Sequence, residues 1–501
     1  MTATSPMEKL GQALRQQTLV RIIEQFEAEH PDSHLKDLVI DAAGPGRVIV
    51  VNGRQVINFG SDSFLGLDQD PRVQEAVGRG LRRWGTHNGS SRAFASVRAN
   101  IEAEHPDSHL KDLVIDAAGP GRVIVVNGRQ VINFGSDSFL GLDQDPRVQQ
   151  AVGRGLRRWG THNGSSRAFA SVRANIEAEQ KLAEWLGVES VLILPSVMLA
   201  NLGAIPGLVG RQDAIALDEQ AHSSMQEAAK IARANGTKVA TFAHSDPRAL
   251  ERTLAGLRPY RCGLVCIDGV YSMSGRIPPM GELNAVARAG DAVLYIDDAH
   301  GTGVLGDQGR GTVLEALGSY DNTFVIGSLS KAFSCAGGFI GGPEPFHRLL
   351  KIRCAPYIFG GPVVPSFLEA IGTVIDILRS EEYPALRARL DAAIARLTRG
   401  LAGLGLVVMG GVTPIVSVLV GDESKTLHAG KFLFDRGYYV QSVLFPAVPY
   451  HAGVLRIQCN ANHDDAAIEG LMAAFAALTQ AMALPGNPAS SPPRVLDGSQ
   501  P

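Results

Sequence analysis

Residue types that would indicate a secreted, zinc-binding or membrane-spanning protein are scarce in this sequence. Only five of the 501 residues are cysteine and no two of them form a Cys-x-x-Cys pair, so disulfides and a zinc site are not expected. No run reaches the roughly 18 apolar residues of a membrane span. The first residues contain no apolar stretch of signal-peptide type. These features predict a cytoplasmic protein with reduced thiols and no membrane span.

The chain also lacks an excess of either charge. Its formal net charge is -3, which argues against nucleic acid or an anionic membrane as a partner. The apolar fraction is 45% and the charged fraction 19%, as in ordinary globular proteins. A chain of this length can bury the cores of two or more domains.

A segment of 75 residues occurs twice: residues 27–101 recur at 102–176, and the one difference is Glu75 against Gln150. Solenoid repeats are shorter, diverge from one another and usually number three or more. Two explanations remain open, namely a recent duplication or sequence-assembly error, and a functional pair of binding modules. Because one native position holds only one copy, we expect the second copy to dock and the first copy to be surplus.

Each copy contains a signal for a β-hairpin. In the second copy, an apolar run at 123–126 is followed by Asn127-Gly128 and then by residues 130–134. Asn-Gly between two β-rich runs favours a tight two-residue turn. In a surplus first copy the same hairpin would be exposed, which is an aggregation risk.

After the repeat, short apolar runs alternate with helical stretches rich in Ala, Leu and Arg. The runs lie at 191–194, 215–217, 264–267, 292–296 and 324–326. Because they are continuous rather than alternating, they predict an α/β fold whose mostly parallel central sheet is covered on both faces. Helical runs and strands from about residue 345 onward predict a smaller C-terminal α+β domain; the helices are placed at 364–380, 385–404 and 464–484, and the strands near 414–420 and 454–458.

The predicted organisation has five parts. They are an N-terminal helical segment (1–26), the first copy (27–101), a large domain that begins with the second copy (102–345), a small C-terminal domain (346–484) and a tail rich in Pro, Gly and Ser that we expect to be disordered (485–501).

Polar residues follow the predicted strands at once, at Ser196, Asp218, Asp268, Asp297 and Ser328. Ligands of parallel α/β sheets bind beyond the carboxyl ends of the strands, so we expect one shared site. Two of these ends lead into Asp297-Asp298-Ala299-His300 and Ser328-Leu329-Ser330-Lys331. A carboxylate that keeps a pyridine nitrogen protonated, with a lysine that forms a Schiff base, is the combination that pyridoxal 5'-phosphate (PLP) requires.

From about residue 130 to 480 the sequence resembles the α-oxoamine synthases, fold-type I PLP enzymes that include 8-amino-7-oxononanoate synthase, glycine C-acetyltransferase and serine palmitoyltransferase. The resemblance rests on motifs in a fixed order: Phe139-Leu-Gly-Leu142, Asp218-Glu-Gln-Ala-His222, Asp268-Gly-Val-Tyr-Ser272, Asp297-Asp-Ala-His300, Gly309-Arg-Gly311, Ser328-Leu-Ser-Lys331 and Leu455-Arg456. It implies PLP as the cofactor and a homodimer in which the active sites form between subunits.

The resemblance also implies roles for individual residues. Lys331 matches the lysine that binds PLP, and Asp297 matches the carboxylate at the pyridine nitrogen. His300 and Ser272 match hydrogen-bond partners of the ring's phenolic oxygen. His222 matches the histidine that stacks on the ring. The neighbouring Asp298 is expected to be structural.

The phosphate is expected at Ser196, Val197 and Met198, a strand-to-helix turn whose amides and helix dipole attract anions. Ser328 adds a hydroxyl. The family often supplies a further hydroxyl from the neighbouring subunit, but the corresponding loop at 357–362 contains none apart from the phenol of Tyr357 at its start.

Two residues are expected at the substrate. Arg456 matches the arginine that holds the amino-acid carboxylate, for which a guanidinium fork is well suited. Asp137 stands where the family usually has an asparagine that helps to bind this carboxylate, and an ionised aspartate cannot donate a hydrogen bond. Three explanations stay open: a different substrate, a protonated Asp137, or a side chain that faces elsewhere.

The activity implied by the resemblance is the condensation of a small α-amino acid with an acyl thioester, on coenzyme A or an acyl carrier protein. Carbon dioxide and a free thiol leave, and an α-amino ketone remains. A PLP-dependent aminotransferase or decarboxylase of the same fold is the first alternative, and an inactive product of the duplication is the second. The sequence does not specify the amino acid or the acyl chain.

Overall fold

The computed structural model describes residues 4–30, 38–44, 48–63, 65–86, 113–126 and 128–486. Asn127 of the expected hairpin turn and residues 487–501 of the expected disordered tail lie outside these residues. The chain divides into two compact units. Unit one consists of Met1–Gly80, Pro146–Gly269 and Ile277–Arg379, and unit two of Leu81–Asp145, Val270–Arg276 and Ser380–Pro501. Each unit is therefore discontinuous along the chain.

A seven-stranded sheet forms the centre of unit one. Its strands, in spatial order, are Lys238–Phe242, Ala214–Asp218, Gly263–Asp268, Ala292–Asp297, Thr323–Ser328, Gly338–Gly342 and Ser190–Leu194. The first five are parallel, and Gly338–Gly342 is antiparallel to both of its neighbours. The predicted α/β fold with a mostly parallel sheet is confirmed.

Both faces of this sheet are buried, which explains why its strands are apolar throughout. In the strand Ala292–Asp297, Val293 and Tyr295 belong to one apolar cluster, whereas Leu294 and Ile296 belong to another. Successive strand side chains point to opposite faces, so each strand contributes to both clusters. A strand in this position needs apolar residues at every position and reads as a continuous run.

Helices cover the two faces of the sheet. The helices of unit one are Pro6–Arg15, Thr18–Glu29, Pro146–Trp159, Arg173–Leu186, Val197–Leu208, Ser223–Ala234, Pro247–Leu257, Met280–Ala289, Thr312–Leu317, Glu344–Arg353, Ala355–Phe359 and Pro365–Arg379, together with most of Pro71–Trp84. Among the described residues, no helix is long and apolar enough to cross a membrane.

Unit two contains two smaller sheets and three longer helices. One sheet has the order Val408–Gly410, Ile415–Gly421, Gly453–Gln458 and Gln441–Val443, and all of its pairs are antiparallel. The other has the order Tyr438–Tyr439, Arg129–Asn133, Val123–Val126 and Ile115–Ala118. The helices are Glu382–Gly403, Glu423–Phe434 and Asp465–Ala481.

The two copies of the repeat form the same three strands, and these strands lie in different units. The three strands of the first copy are Val39–Ala43, Val48–Val51 and Arg54–Ile57, and they join Ser171–Val172 in unit one. The three strands of the second copy join Tyr438–Tyr439 in unit two. In the first copy, Asn52 and Gly53 have φ angles of 49° and 74°, as a primed two-residue turn requires.

The copies also exchange a helix-end contact. In unit one, the amide of Thr161 in the second copy donates to the carbonyl oxygen of Asp68 in the first copy, at 3.1 Å. In unit two, the amide of Thr86 in the first copy donates to the carbonyl oxygen of Asp143 in the second copy, at 3.2 Å. Equivalent residues thus make the same contact in both directions.

The copies differ in burial although their sequences differ at one position only. Phe134 of the second copy is fully buried in unit two, where its ring stacks on His463 at 3.9 Å, whereas the equivalent Phe59 is 93% exposed. Leu140 is buried, and its equivalent Leu65 is 84% exposed. The second copy therefore supplies core side chains that the first copy leaves in solvent.

Candidate active site

Asp297 lies at the carboxyl end of a central strand and is held there by neighbouring donors. It is 4% exposed. One carboxylate oxygen, Oδ2, accepts a hydrogen bond from the side-chain amide of Asn201 at 2.7 Å. The other, Oδ1, accepts from the backbone amide of Ala299 at 3.2 Å. A buried carboxylate with two donors keeps a fixed orientation, as a group that must meet a ring nitrogen requires.

Lys331 follows the next strand of the sheet and meets His300. Its Nζ lies 2.9 Å from Nε2 and 3.2 Å from Nδ1 of His300. The imidazole is nearly buried and comes from the turn that follows Asp297. Because the two strands are parallel neighbours, the residues that follow their carboxyl ends are brought together.

His222 caps the helix Ser223–Ala234 and lies close enough to Asp297 and Lys331 for their charges to affect it. Its backbone amide donates to Oδ1 of Asp268 at 3.0 Å, which ties it to a third strand end. Desolvation lowers the pKa of His222, the positive charge of Lys331 lowers it further, and the negative charge of Asp297 opposes both. The imidazole is therefore neutral near pH 7.

Two further acidic residues at strand ends accept hydrogen bonds from backbone amides. Asp218 accepts hydrogen bonds from the amides of Gln220 and Ser245, both at 2.8 Å. Asp298 is fully buried and accepts from the amide and hydroxyl of Thr312, at 2.7 and 2.8 Å. Burial raises the pKa of Asp298 to about 7, and the bonds from Thr312 oppose this shift.

The Gly309-Arg310-Gly311 motif is explained by the same buried carboxylate. A Cβ at Gly311 would lie 2.0 Å from Oδ2 of Asp298, and the φ of this glycine is +94°. Neither the contact nor the backbone angle suits another residue.

The residues expected at the phosphate lie around the start of one helix. Ser196 is the N-cap of Val197–Leu208, its hydroxyl accepts from the amide of Leu199 at 3.2 Å, and Met198 is half exposed. A Cβ at Gly338 would lie 2.5 Å from the amide nitrogen of Val197, so the strand approaches the helix start through a glycine. Free amides at a helix start attract anions.

Ser328 is fully buried, at the end of its strand. Its hydroxyl oxygen accepts from the amide of Ser330 at 3.2 Å and lies 3.2 Å from the hydroxyl of Ser330. Ser330 was not singled out from the sequence, although it stands directly before Lys331. The two hydroxyls together form a polar surface beside the lysine.

Arg456, Ser272 and Asp137 belong to unit two. Arg456 is 6% exposed, and its Nε donates to the carbonyl of Ser272 at 2.6 Å while its Nη1 donates to Oε1 of Gln441 at 2.7 Å. Desolvation lowers the pKa of Arg456 to about 10, and the negative charge of Asp137 opposes the shift. The guanidinium is thus fixed through two nitrogens and remains charged near pH 7.

One carboxylate oxygen of Asp137, Oδ1, is buried without a hydrogen-bond donor among the described residues. A buried carboxylate oxygen without a donor is costly. The Asp137 carboxylate is close enough to Arg456 to affect the pKa of the guanidinium.

Unit one brings together eight of the eleven residues singled out from the sequence: Lys331, His222, Asp297, His300, Ser196, Val197, Met198 and Ser328. Sequence reasoning missed Asn201, Ser224 and Tyr295, which hydrogen-bond with one another or with Asp297 and His222. One signal was available, because Asn201 is the single polar side chain of the helix Val197–Leu208.

The donor set of unit one matches the groups of PLP. An amine for the aldehyde is present at Lys331, and a fixed carboxylate for the pyridine nitrogen at Asp297. A helix start and a pair of serine hydroxyls suit the phosphate. The residues present therefore fit this cofactor.

Three comparisons with known proteins agree with one another. Residues 129–475 match the family "Aminotransferase class I and II", and this match begins inside the second copy. The chain is 34% identical over 384 residues to the 8-amino-7-oxononanoate synthase of Geobacter sulfurreducens, covering 76% of this chain and 97% of that protein. It is 35% identical over 400 residues to the same enzyme of Anaeromyxobacter dehalogenans, covering 79% and 98%.

Among solved structures, the chain is similar to serine palmitoyltransferase from S. paucimobilis with bound PLP–myriocin aldimine. The TM-score is 0.72 at 28% identity, and the match covers 77% of this chain and 98% of that one.

Proposed function

Since the chain belongs to the α-oxoamine synthases of the aminotransferase class I and II family, we propose that the residues described above form the active site of its PLP-dependent acyl transfer. The reaction is the decarboxylative condensation of an α-amino acid with an acyl thioester. It yields an α-amino ketone, carbon dioxide and a free thiol. The observation that carries the site is the cluster of Lys331, Asp297, His300 and His222 in unit one.

PLP, when bound, supplies an electron sink for the α-carbon of the amino acid. Lys331 would hold the cofactor by its amine and take the α-proton of the substrate. Asp297 would hold a proton at the ring nitrogen, in the orientation set by its two donors. A positioned proton transfer of this type is worth about 10²–10⁴-fold.

Arg456 would bind the carboxylate of the amino acid. Protein acceptors take hydrogen bonds from its Nε and Nη1, and none of the described residues accepts from Nη2. A carboxylate bound there would gain a charge-assisted hydrogen bond, which is stronger than a neutral one. Ser272 supports this position because its carbonyl holds the guanidinium.

The names of the relatives favour one pair of substrates. In 8-amino-7-oxononanoate, carbons 8 and 9 with the amino group correspond to alanine without its carboxylate, and the first seven carbons to an acyl group with a terminal carboxylate. We propose alanine and this dicarboxylic acyl thioester. Serine with palmitoyl thioester is the second candidate, which the likeness to serine palmitoyltransferase supports.

A substrate matrix tests both pairs. Glycine, alanine and serine are combined with the seven-carbon dicarboxylic, palmitoyl and acetyl thioesters of coenzyme A, and with the first on an acyl carrier protein. Free thiol, carbon dioxide and product mass are measured. Equal release of thiol and carbon dioxide supports acyl transfer. Keto acid without thiol, formed up to the amount of bound PLP that accepts the amino group, would indicate an aminotransferase. Carbon dioxide without thiol would indicate a decarboxylase, and a colourless, inert protein an inactive duplication product.

We further propose that the enzyme is a cytoplasmic homodimer. All five cysteines are buried free thiols, which supports a reducing compartment. Phe359, in the loop at 357–362, is 84% exposed in the single chain and would be covered by a second subunit. Light scattering is expected to give twice the mass of the chain.

Replacing Asp137 with asparagine is expected to lower the KM for the amino acid about tenfold. The carboxylate weakens the attraction of Arg456 for a second carboxylate, whereas an amide can donate to the substrate. Initial rates against amino-acid concentration measure the effect. The matched control is Asp62→Asn, the same change at the equivalent exposed residue of the first copy. An increase in KM for Asp137→Asn would mean that the substrate donates to Asp137.

A further inference from the structure

Asn201 links Asp297, through the hydroxyl of Ser224, to His222. It is completely buried on the helix Val197–Leu208. Its amide nitrogen donates to Oδ2 of Asp297 at 2.7 Å and to the hydroxyl oxygen of Ser224 at 2.8 Å. The Ser224 hydroxyl in turn lies 2.7 Å from Nδ1 of His222.

The donors and acceptors present set the direction of each hydrogen bond in the network that links Asp297, Asn201, Ser224 and His222. An ionised Asp297 only accepts, so the NH₂ group of Asn201 must face it. Asn201 Oδ1 then faces the hydroxyl of Tyr295, which donates to it at 2.9 Å. The second N–H of the Asn201 amide donates to the hydroxyl oxygen of Ser224. The hydroxyl proton of Ser224 is then donated to His222.

This arrangement selects one tautomer of His222. Nδ1 accepts from the Ser224 hydroxyl and is also 3.3 Å from the Ser224 amide. With Nδ1 occupied as an acceptor, the ring proton of a neutral imidazole is on Nε2. Nε2–H is then the group that His222 offers to a ligand.

We propose that Asn201 is a positioning residue that fixes Asp297 and, through Ser224, the Nε2-protonated tautomer of His222, while Tyr295 sets the orientation of its amide. The inference rests on the proposed function, because it gives Asn201 a role only through Asp297 and His222. It goes beyond that function by giving roles to three residues, Asn201, Ser224 and Tyr295, that act through Asp297 and His222.

Three variants test the hydrogen bonds of this network separately. Asn201→Leu removes all three hydrogen bonds of the amide, Tyr295→Phe removes only the donor that orients the amide, and Ser224→Ala removes the link to His222 while Asp297 stays paired. Tyr320→Phe is the matched control, because it removes another buried tyrosine hydroxyl, one without a hydrogen-bond partner among the described residues. Thermal melting of each apoprotein shows whether it folds.

The readouts are the Kd for PLP from absorbance titration of the apoprotein, the pH titration of the bound PLP absorbance band, and kcat with KM. Asn201→Leu is expected to raise the Kd about 10- to 100-fold, the factor that corresponds to one hydrogen bond to a charged group, and to shift the absorbance pKa. Tyr295→Phe should change the Kd for PLP and the absorbance pKa in the same direction as Asn201→Leu, but by less. Ser224→Ala should keep the Kd and the absorbance pKa and lower kcat.

The inference is overturned if Asn201→Leu and Tyr295→Phe both bind PLP and titrate as the wild type and Tyr320→Phe do. It is also overturned if Ser224→Ala has the same kcat as the wild type. Tyr295→Phe keeps the test valid if Asn201→Leu does not fold, because it changes a single atom. Failure of the proposed function looks different, since the wild type itself would then bind no PLP or transfer no acyl group.

Discussion

Replacing Lys331 with alanine is expected to abolish turnover while the protein remains folded. The amine is the one group in the site that can both hold the cofactor aldehyde and take the α-proton of the substrate. Loss of the proton transfer alone corresponds to about 10²–10⁴-fold, and loss of the covalent anchor adds to it. Thiol release with saturating substrates measures the effect, and circular dichroism monitors the fold.

The matched control for this prediction is Lys230→Ala. Lys230 lies on the helix Ser223–Ala234, is exposed and pairs with Glu227 three residues earlier, so its removal should leave turnover intact. Turnover by Lys331→Ala close to that of Lys230→Ala would refute the assignment.

Replacing Phe134 with alanine is expected to lower the free energy of unfolding by about 3–5 kcal/mol, the usual range for a buried phenylalanine. The same change at Phe59 should alter it by less than about 0.5 kcal/mol, because that ring is 93% exposed. The two residues have the same neighbours in sequence, so the comparison isolates the effect of burial. Urea denaturation of both variants measures it.

Equal destabilisation by the two substitutions would contradict the observed asymmetry of the copies. It would indicate that each copy spends time in the position next to Tyr438–Tyr439. A loss of stability only for Phe59→Ala would reverse their assignment.

Much of the large sheet could be predicted, because a strand that is buried on both faces is a continuous apolar run in the sequence. The run that contains Val293, Leu294 and Tyr295 is apolar at each position for this reason. The strand Gly338–Gly342 could not be predicted in the same way, since three of its five residues are glycine and the apolar run is short. Its glycines are explained by close neighbours, such as Val197 beside Gly338.

Site residues could be predicted from the sequence where a polar or charged residue stands in or next to an apolar run. Asp297 and Lys331 stand out because each follows a buried strand. Asn201 was harder to recognise, because one asparagine in an apolar helix is as easily a structural residue as a positioning one. The proposed positioning role rests on its three hydrogen-bond partners, Asp297, Ser224 and Tyr295.

The arrangement of the two copies could not be predicted from sequence. The two segments differ only at Glu75 and Gln150 and so have almost the same propensities, and no local pattern indicates whether Phe134 or Phe59 is buried. Nor could the pattern show that the carbonyl oxygens of Asp68 and Asp143 each accept from a residue just beyond the helix of the opposite copy. These outcomes depend on tertiary context rather than on local sequence.

The central claim is that Lys331 carries the cofactor. Reduction of the PLP-loaded enzyme with borohydride, followed by proteolysis and mass spectrometry, tests it most directly. The pyridoxyl group is predicted on the peptide that contains Lys331 and on no other. A label on any other lysine would contradict the site described here and the roles assigned to Asp297, His222 and His300.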